Sequence, residues 1–261
     1  MSIYQTETSV EKSFDKDFIP EEQLQTQWAE FIEFKKIIAR LSSAKKRPVS
    51  ILDIGVGSGR LVKHLCGIPE IWNSISSYHG IDNAEACLTL SNKVIRNLNI
   101  EQKARVSLLE ADHLNNLKEN YDIVITTWFT AGNFYPLNFS FDTYKDAGKK
   151  LDLSLNERFR NIFLLAYNLL TPGGEIILGS CYIDNDSNRK KQEAFYNKLG
   201  MEIITAPEDS FTATKEGFWS QRFTKEKLQN YFDFVPPEKI IFTPLDTYEF
   251  AMQVSIKKSE I

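Results

Sequence analysis

Little in this sequence suits a metal, a membrane or a nucleic acid. Its three cysteines, Cys66, Cys87 and Cys181, lie far apart with no Cys-x-x-Cys pair, which excludes a zinc site and predicts reduced, mostly buried thiols. No apolar run approaches the roughly 20 residues of a membrane span, and Met1-Ser2-Ile3-Tyr4-Gln5 lacks a basic region leading into an apolar one. A cytoplasmic location is the expectation. A basic excess is also missing: the formal net charge is −4, and the pairs Lys45-Lys46 and Lys149-Lys150 are short and scattered, so nothing attracts a phosphate backbone. Low-complexity tracts are absent too. With 42% hydrophobic and 25% charged residues, 261 residues suit one large α/β domain that folds alone.

What is present is an alternation of short apolar segments with helix-length stretches. A polar arm over residues 1–20 carries isolated aromatics (Tyr4, Phe14, Phe18). It is followed by a helix over 21–41 whose apolar positions Leu24, Trp28, Phe31, Ile32, Ile38 and Leu41 recur mostly at three- and four-residue steps. Strands are predicted over 49–54, 78–81, 104–109, 121–127 and 175–181, with helices over 60–66, 84–98 and 157–170 between them. That order implies crossover units and a mostly parallel sheet with helices on both faces. Thr171-Pro172-Gly173-Gly174 reads as a turn. Further on, a helix over 188–199, a helix N-cap at Thr224 with a carboxylate in its first turn, and strands over 239–243 and 248–256 are expected. The Pro244-Leu245-Asp246 connection is short enough to make those two strands antiparallel.

The strand ending in Asp53 runs into Gly55-Val56-Gly57-Ser58-Gly59 before a helix, and alternate glycines cost backbone entropy unless a ligand lies against the main chain. Dinucleotide binding is disfavoured because its third glycine falls where Arg60 stands, and a phosphate loop fails for want of Gly-Lys-Ser/Thr. The segment Ile51-Leu52-Asp53-Ile54-Gly55-Val56-Gly57-Ser58-Gly59-Arg60-Leu61 instead resembles the first motif of class I, Rossmann-like S-adenosylmethionine-dependent methyltransferases. Four further segments look like that family's next motifs in order: Gly80-Ile81-Asp82-Asn83, residues 108–114, residues 121–127 and residues 169–178.

The resemblance implies a doubly wound, mostly parallel seven-stranded sheet with an antiparallel last strand. It also implies methyl transfer from S-adenosyl-L-methionine. On it, the cofactor-binding residues are Asp53, near the methionine ammonium, the loop glycines Gly55, Gly57 and Gly59, Asp82 at the ribose hydroxyls with Asn83 next to it, Asp112 at the adenine amino group, and His113 and Thr127. Arg60 is placed at the periphery. The expected acceptor is a small molecule methylated on N or O. The alternatives are an amino acid or protein side chain, or a binding module without chemistry.

The acceptor is expected near the exit of the fourth strand, where Phe129, Phe134, Tyr135, Phe139, Phe141 and Tyr144 are too many aromatics for solvent. Trp128, Phe129, Phe134 and Tyr135 are its first wall, Trp219 and Arg222 a second, and Trp28 and Tyr4 a cap. A base is optional because the sulfonium already activates the methyl group; Tyr135, Asn133 and Asp142 are the candidates. The chain is thus read as an N-terminal arm and capping helix (residues 1–47) and a catalytic domain (48–261) with substrate-facing insertions at about 129–155 and 205–223, acting as monomer or homodimer without metal.

Overall fold

Val49–Ile54 is mostly apolar and buried on both of its faces, as a strand covered on both sides must be, and it lies in the interior of the sheet. The computed structural model describes residues 6, 7, 10, 19–144, 151–246 and 249–260. Along the chain come α1 (Glu21–Lys45), β1 (Val49–Ile54), α2 (Arg60–Cys66), α3 (Pro69–Asn73), β2 (Ile75–Asp82), α4 (Glu85–Asn97), β3 (Ala104–Leu108) and β4 (Tyr121–Thr126). Then follow α5 (Glu157–Asn168), β5 (Leu170–Tyr182), α6 (Asp186–Lys198), β6 (Phe211–Ala213), β7 (Trp219–Gln221), α7 (Lys225–Tyr231), β8 (Ile240–Pro244) and β9 (Ala251–Lys257).

Seven strands form one sheet in the order β3-β2-β1-β4-β5-β9-β8. Its first five members run parallel, and β9 is antiparallel to both β5 and β8. Alternate residues of each central strand feed opposite cores. Leu52, Val124, Ile176 and Leu178 pack with Phe159, Ile162 and Phe163 of α5 and with Leu228 and Tyr231 of α7. Ile51, Ile123, Ile125 and Ile177 pack with Phe31, Phe34, Ile38 and Leu41 of α1 and with Leu61, Val62 and Leu65 of α2. Strand order reverses between β1 and β4, and the crevice at their carboxyl ends is where such sheets take ligands.

Most of the expected elements occur, with shifted edges. The 171–174 turn lies inside β5 as a break in register, Leu170 pairing with Tyr121 and Glu175 with Ile123, and Gly173 supplies its φ of 68°. Thr224 caps α7, its hydroxyl accepting the Lys227 N–H at 3.1 Å. The β6–β7 hairpin was not expected; its strands of three residues are too short to show a period. Tyr4, Phe14 and Phe18 lie outside the described residues. Among the described residues, no helix is long and apolar enough to cross a membrane.

One buried carboxylate ties the bottom of the sheet together. Asp122 is fully buried and accepts from both terminal nitrogens of Arg47 (2.7 and 2.9 Å), from the Ser50 amide (3.0 Å) and from the Thr171 hydroxyl (2.6 Å). Burial alone would raise its pKa, but these donors outweigh burial and hold it well below the usual carboxylate range. Asp122→Asn removes the charge and at least one accepting oxygen while Arg47, half exposed, can turn to solvent, so it is expected to cost about 1.5–3 kcal/mol at neutral pH. Urea unfolding checks this; a loss under 1 kcal/mol would mean that water replaces the carboxylate.

Candidate active site

The glycine loop is shaped by the strand beside it. Gly55 and Val56 donate their amides to the Ile81 carbonyl at 2.8 and 3.0 Å, and the Gly57 amide donates to Asp82 Oδ2 at 3.0 Å. Gly55 and Gly57 have φ of 79° and 54°, in the left-handed region that side chains avoid. A Cβ on Gly55 would also stand 2.5 Å from Thr130 Cγ2. Asp82 turns its other oxygen to the Ala84 amide at 3.0 Å; burial raises its pKa, and the Gly57, Ala84 and Asn83 amides oppose that.

Above the loop lies a cavity of about 440 Å³, within the range of small-molecule sites. One end is formed by Gly55, Gly57, Ser58, Ile81, Asp82, Asn83, Leu109, Glu110 and Ala111. The other is aromatic: Trp128, Phe134, Tyr135, Phe141, Phe218 and Trp219, with Thr130, Asn133, Arg158 and Gly217. Thr127 and Arg60 also line it, and the Arg60 guanidinium stands 4.3 Å above the Trp128 ring. Asp82 and Glu110 are the carboxylates among its lining residues.

Several expected residues fall elsewhere. Asp53 is fully buried behind the loop, does not line the cavity, and accepts the Tyr78 hydroxyl on one oxygen while the other has no partner. Gly59 starts α2 with φ of 78°, and a Cβ there would press on Ser91, so it serves helix packing. Asp112 is occupied by Arg158, which grips both its oxygens at 2.7–3.0 Å, and neither Asp112 nor the exposed His113 lines the cavity.

The acceptor walls need similar correction. Phe129 points away from the cavity and stacks on Tyr182 at 3.7 Å. Arg222 is a core residue, 1% exposed, bonded to Gln192 (2.7 Å), Thr212 (2.9 Å) and Asp184 (3.3 Å) and to the Asp209 carbonyl. Asp142 is exposed and outside the lining. Trp28 is 61% exposed, edge-on to His64 at 5.5 Å, and Tyr4 lies outside the described residues. Phe139, Phe211 and Trp219 form a cluster of their own under the hairpin, with Tyr144 against it; Trp219 alone of these four also borders the cavity.

The reading of the sequence left out Thr130, Arg158, Gly217 and Phe218 and set Arg60 too far out. Gly217 inside an aromatic segment is the signal available for the hairpin tip; Arg158 gives none. Arg158 also orders the aromatic end, since its guanidinium lies 5.0 Å from the Tyr135 ring centre. Asn156, the α5 N-cap, donates to the Phe134 carbonyl at 2.8 Å.

Residues 45–235 match a family model described as a methyltransferase domain, and the chain belongs to that family. No curated protein matches the sequence. Among solved structures, the CcbJ methyltransferase from Streptomyces caelestis is similar at TM-score 0.59 and 14% identity, covering 100% of this chain and 99% of that one. An S-adenosylmethionine-dependent methyltransferase from Clostridium acetobutylicum is similar at TM-score 0.55 and 13% identity, over 92% and 93% of the two chains. Magnesium protoporphyrin IX methyltransferase (ChlM) from Synechocystis PCC 6803, solved with bound SAH, is similar at TM-score 0.54 and 12% identity, over 92% and 89%. At such identities the likeness is one of fold. The family makes the chain a methyltransferase, and its fold is the one found in these S-adenosylmethionine-dependent enzymes.

Two buried acids near the loop carry a pH signature. Burial pushes Asp53 up to about 7 against the Tyr78 hydrogen bond, and burial pushes Glu30 up to about 7 against its bonds from Ser180 and Trp128. A carboxyl raised in the folded state stabilises fully below the unfolded pKa, about 4, and that stabilisation is lost as pH rises towards 7. Asp53→Asn is therefore expected to flatten the fall in unfolding free energy between pH 4 and 7, by an amount on the order of a few kcal/mol. Denaturant unfolding across that range decides it; a variant curve parallel to wild type would mean that burial does not raise the Asp53 pKa.

Proposed function

We propose that this methyltransferase transfers the methyl group of S-adenosylmethionine to N or O of a small-molecule acceptor held at the aromatic end of the cavity. The observation that carries this reading is the cavity itself, which joins a glycine loop with no room for side chains to a wall of six aromatic rings. The residues fit the cofactor. Left-handed Gly55 and Gly57 bring bare backbone to the cavity, and Asp82 adds a carboxylate whose amide partners, Gly57, Ala84 and Asn83, leave it accepting capacity for a ribose hydroxyl. Asn83, Leu109, Glu110 and Ala111 would surround the adenine. Asp53 would act on the loop through its backbone.

When bound, S-adenosylmethionine supplies an electrophilic methyl group on a sulfonium. This chain's residues then have to align the nucleophile and keep water out. Thr127, Trp128, Thr130 and Asn133 follow β4 and line the cavity, and Phe134, Tyr135, Phe141 and Phe218 would stack on a planar acceptor. Tyr135 and Asn133 are the groups of that end able to take or steer a proton. Among the described residues the lining carries two carboxylates, Asp82 and Glu110, against two guanidinium groups, Arg60 and Arg158, a balance that favours a neutral or anionic acceptor over a polyammonium one and argues against aminopropyl transfer.

Incubating the protein with S-adenosylmethionine and fractionated metabolite extract should generate S-adenosylhomocysteine; a protein that binds the cofactor and turns over with no fraction would be a binding module. Gly57→Val should abolish cofactor binding in a folded protein, as measured by calorimetry, and unchanged affinity would remove the loop from the site. Asp82→Ala is expected to weaken S-adenosylhomocysteine by about 1.5–3 kcal/mol. A 2′-deoxyribose analogue should bind wild type more weakly yet lose little further affinity in the variant. Equal losses in both proteins would take Asp82 off the ribose.

A further inference from the structure

Most of α1 precedes residue 45, where the match to the family begins, yet this helix reaches the cavity wall. Three of its buried side chains are polar: Gln23, Thr26 and Glu30. Thr26 bonds its own helix, at the Glu22 carbonyl (2.8 Å). The other two reach the exits of β4 and β5. Gln23 donates to the Tyr182 hydroxyl at 2.9 Å, and Tyr182 is the ring on which Phe129 stacks.

Glu30 is 3% exposed, and its two oxygens accept the Trp128 amide at 3.1 and 3.3 Å. One oxygen also accepts the Ser180 hydroxyl. Space is cleared for it, since a Cβ on Gly179 would collide with the carboxylate. Burying a carboxylate is unfavourable unless it is well hydrogen-bonded, so its place between the Ser180 hydroxyl and the backbone amide of a neighbouring loop, within reach of the Arg60 charge, needs a reason. Trp128 supplies one. Trp128 and Phe129 are consecutive non-glycine residues with φ of 49° and 62°, a conformation that persists only where surroundings enforce it.

We propose that Glu30 is a positioning residue for methyl transfer. By holding the Trp128 amide, it keeps this left-handed pair in place and so sets the Trp128 ring, under the Arg60 guanidinium, as the wall between the glycine loop and the aromatic end. Glu30 does not line the cavity, so it acts through Trp128 and touches neither cofactor nor acceptor. This rests on the reading that the cavity takes S-adenosylmethionine.

The test uses the full chain labelled with 5-fluorotryptophan, whose four fluorine resonances are assigned by single Trp→Phe substitutions. Glu30→Asp keeps the charge but draws the carboxylate back by one methylene. Glu30→Gln keeps the reach and one accepting oxygen. Glu30→Asp is expected to shift or split the Trp128 resonance, to leave Trp72 and Trp219 unmoved, and to raise the Kd for S-adenosylhomocysteine at least fivefold. Glu30→Gln should stay within twofold of wild type, with the Trp128 resonance near its original place. A folded Glu30→Asp protein with unchanged Trp128 resonance or unchanged Kd overturns the proposal, as does equal disturbance by both substitutions. Should Glu30→Asp not fold, hydrogen exchange in wild type decides: a Trp128 amide that exchanges as fast as exposed loop amides overturns it, and a protected one upholds it. A wild type that does not bind S-adenosylhomocysteine would sink the functional reading, while the Trp128 resonance would still report whether Glu30 holds that loop.

Discussion

Three amides of the glycine loop are fastened to the end of the neighbouring strand: Gly55 and Val56 to the Ile81 carbonyl, and Gly57 to the Asp82 carboxylate. The first end of the cavity depends on this fastening. It needs β1 and β2 in parallel register, with Asp53 opposite Gly80 and Ile54 opposite Ile81, because a slip of one residue would turn Asp82 to the other face of the sheet. Asp82 therefore has a structural task, capping the loop and the start of α4, alongside the ligand task proposed for it. A carboxylate can do both because each oxygen accepts twice.

The opposite wall is secured from a different direction. Asn156 holds the Phe134 carbonyl, Arg158 is clamped by Asp112 beneath the Tyr135 ring, and Glu30 holds Trp128. These anchors come from α5, the segment after β3, and α1, elements spread over more than a hundred residues of chain. The glycine loop is thus local, made by one crossover unit, whereas the aromatic end is assembled by long-range polar contacts.

That difference explains what could be read from the sequence. Strands such as Val49–Ile54 and Tyr121–Thr126 were legible because burial on both faces leaves a continuous apolar run, and the glycine loop because its backbone angles admit little else. The aromatic end was not. Counting rings after the fourth strand identified the region but could not sort Phe134 and Tyr135, which line the cavity, from Phe129 and Phe139, which pack into the protein. Arg222 misled for a related reason. An arginine among aromatics suggests a ligand contact, yet Gln192, Thr212, Asp184 and Asp209, distant in sequence, satisfy it inside the fold. Asp112 was read as a ligand group because its partner, Arg158, lies 46 positions away.

Trp128 and Phe129 show the same limit at the scale of one peptide unit. In an extended strand, neighbours point to opposite faces, so adjacent aromatics at a strand exit cannot both line one pocket. Here the strand has ended, and two left-handed residues carry the turn instead, sending Trp128 to the cavity and Phe129 to the Tyr182 stack. Neither side chain is glycine-like, and the two residues themselves give no sign that this conformation is available. The sign lies in α1, where Glu30 interrupts the apolar face formed by Phe31, Phe34, Ile37, Ile38 and Leu41. A carboxylate on a buried helix face indicates a fixed donor opposite it, and in this fold that donor is the amide of the turn that divides the two rings.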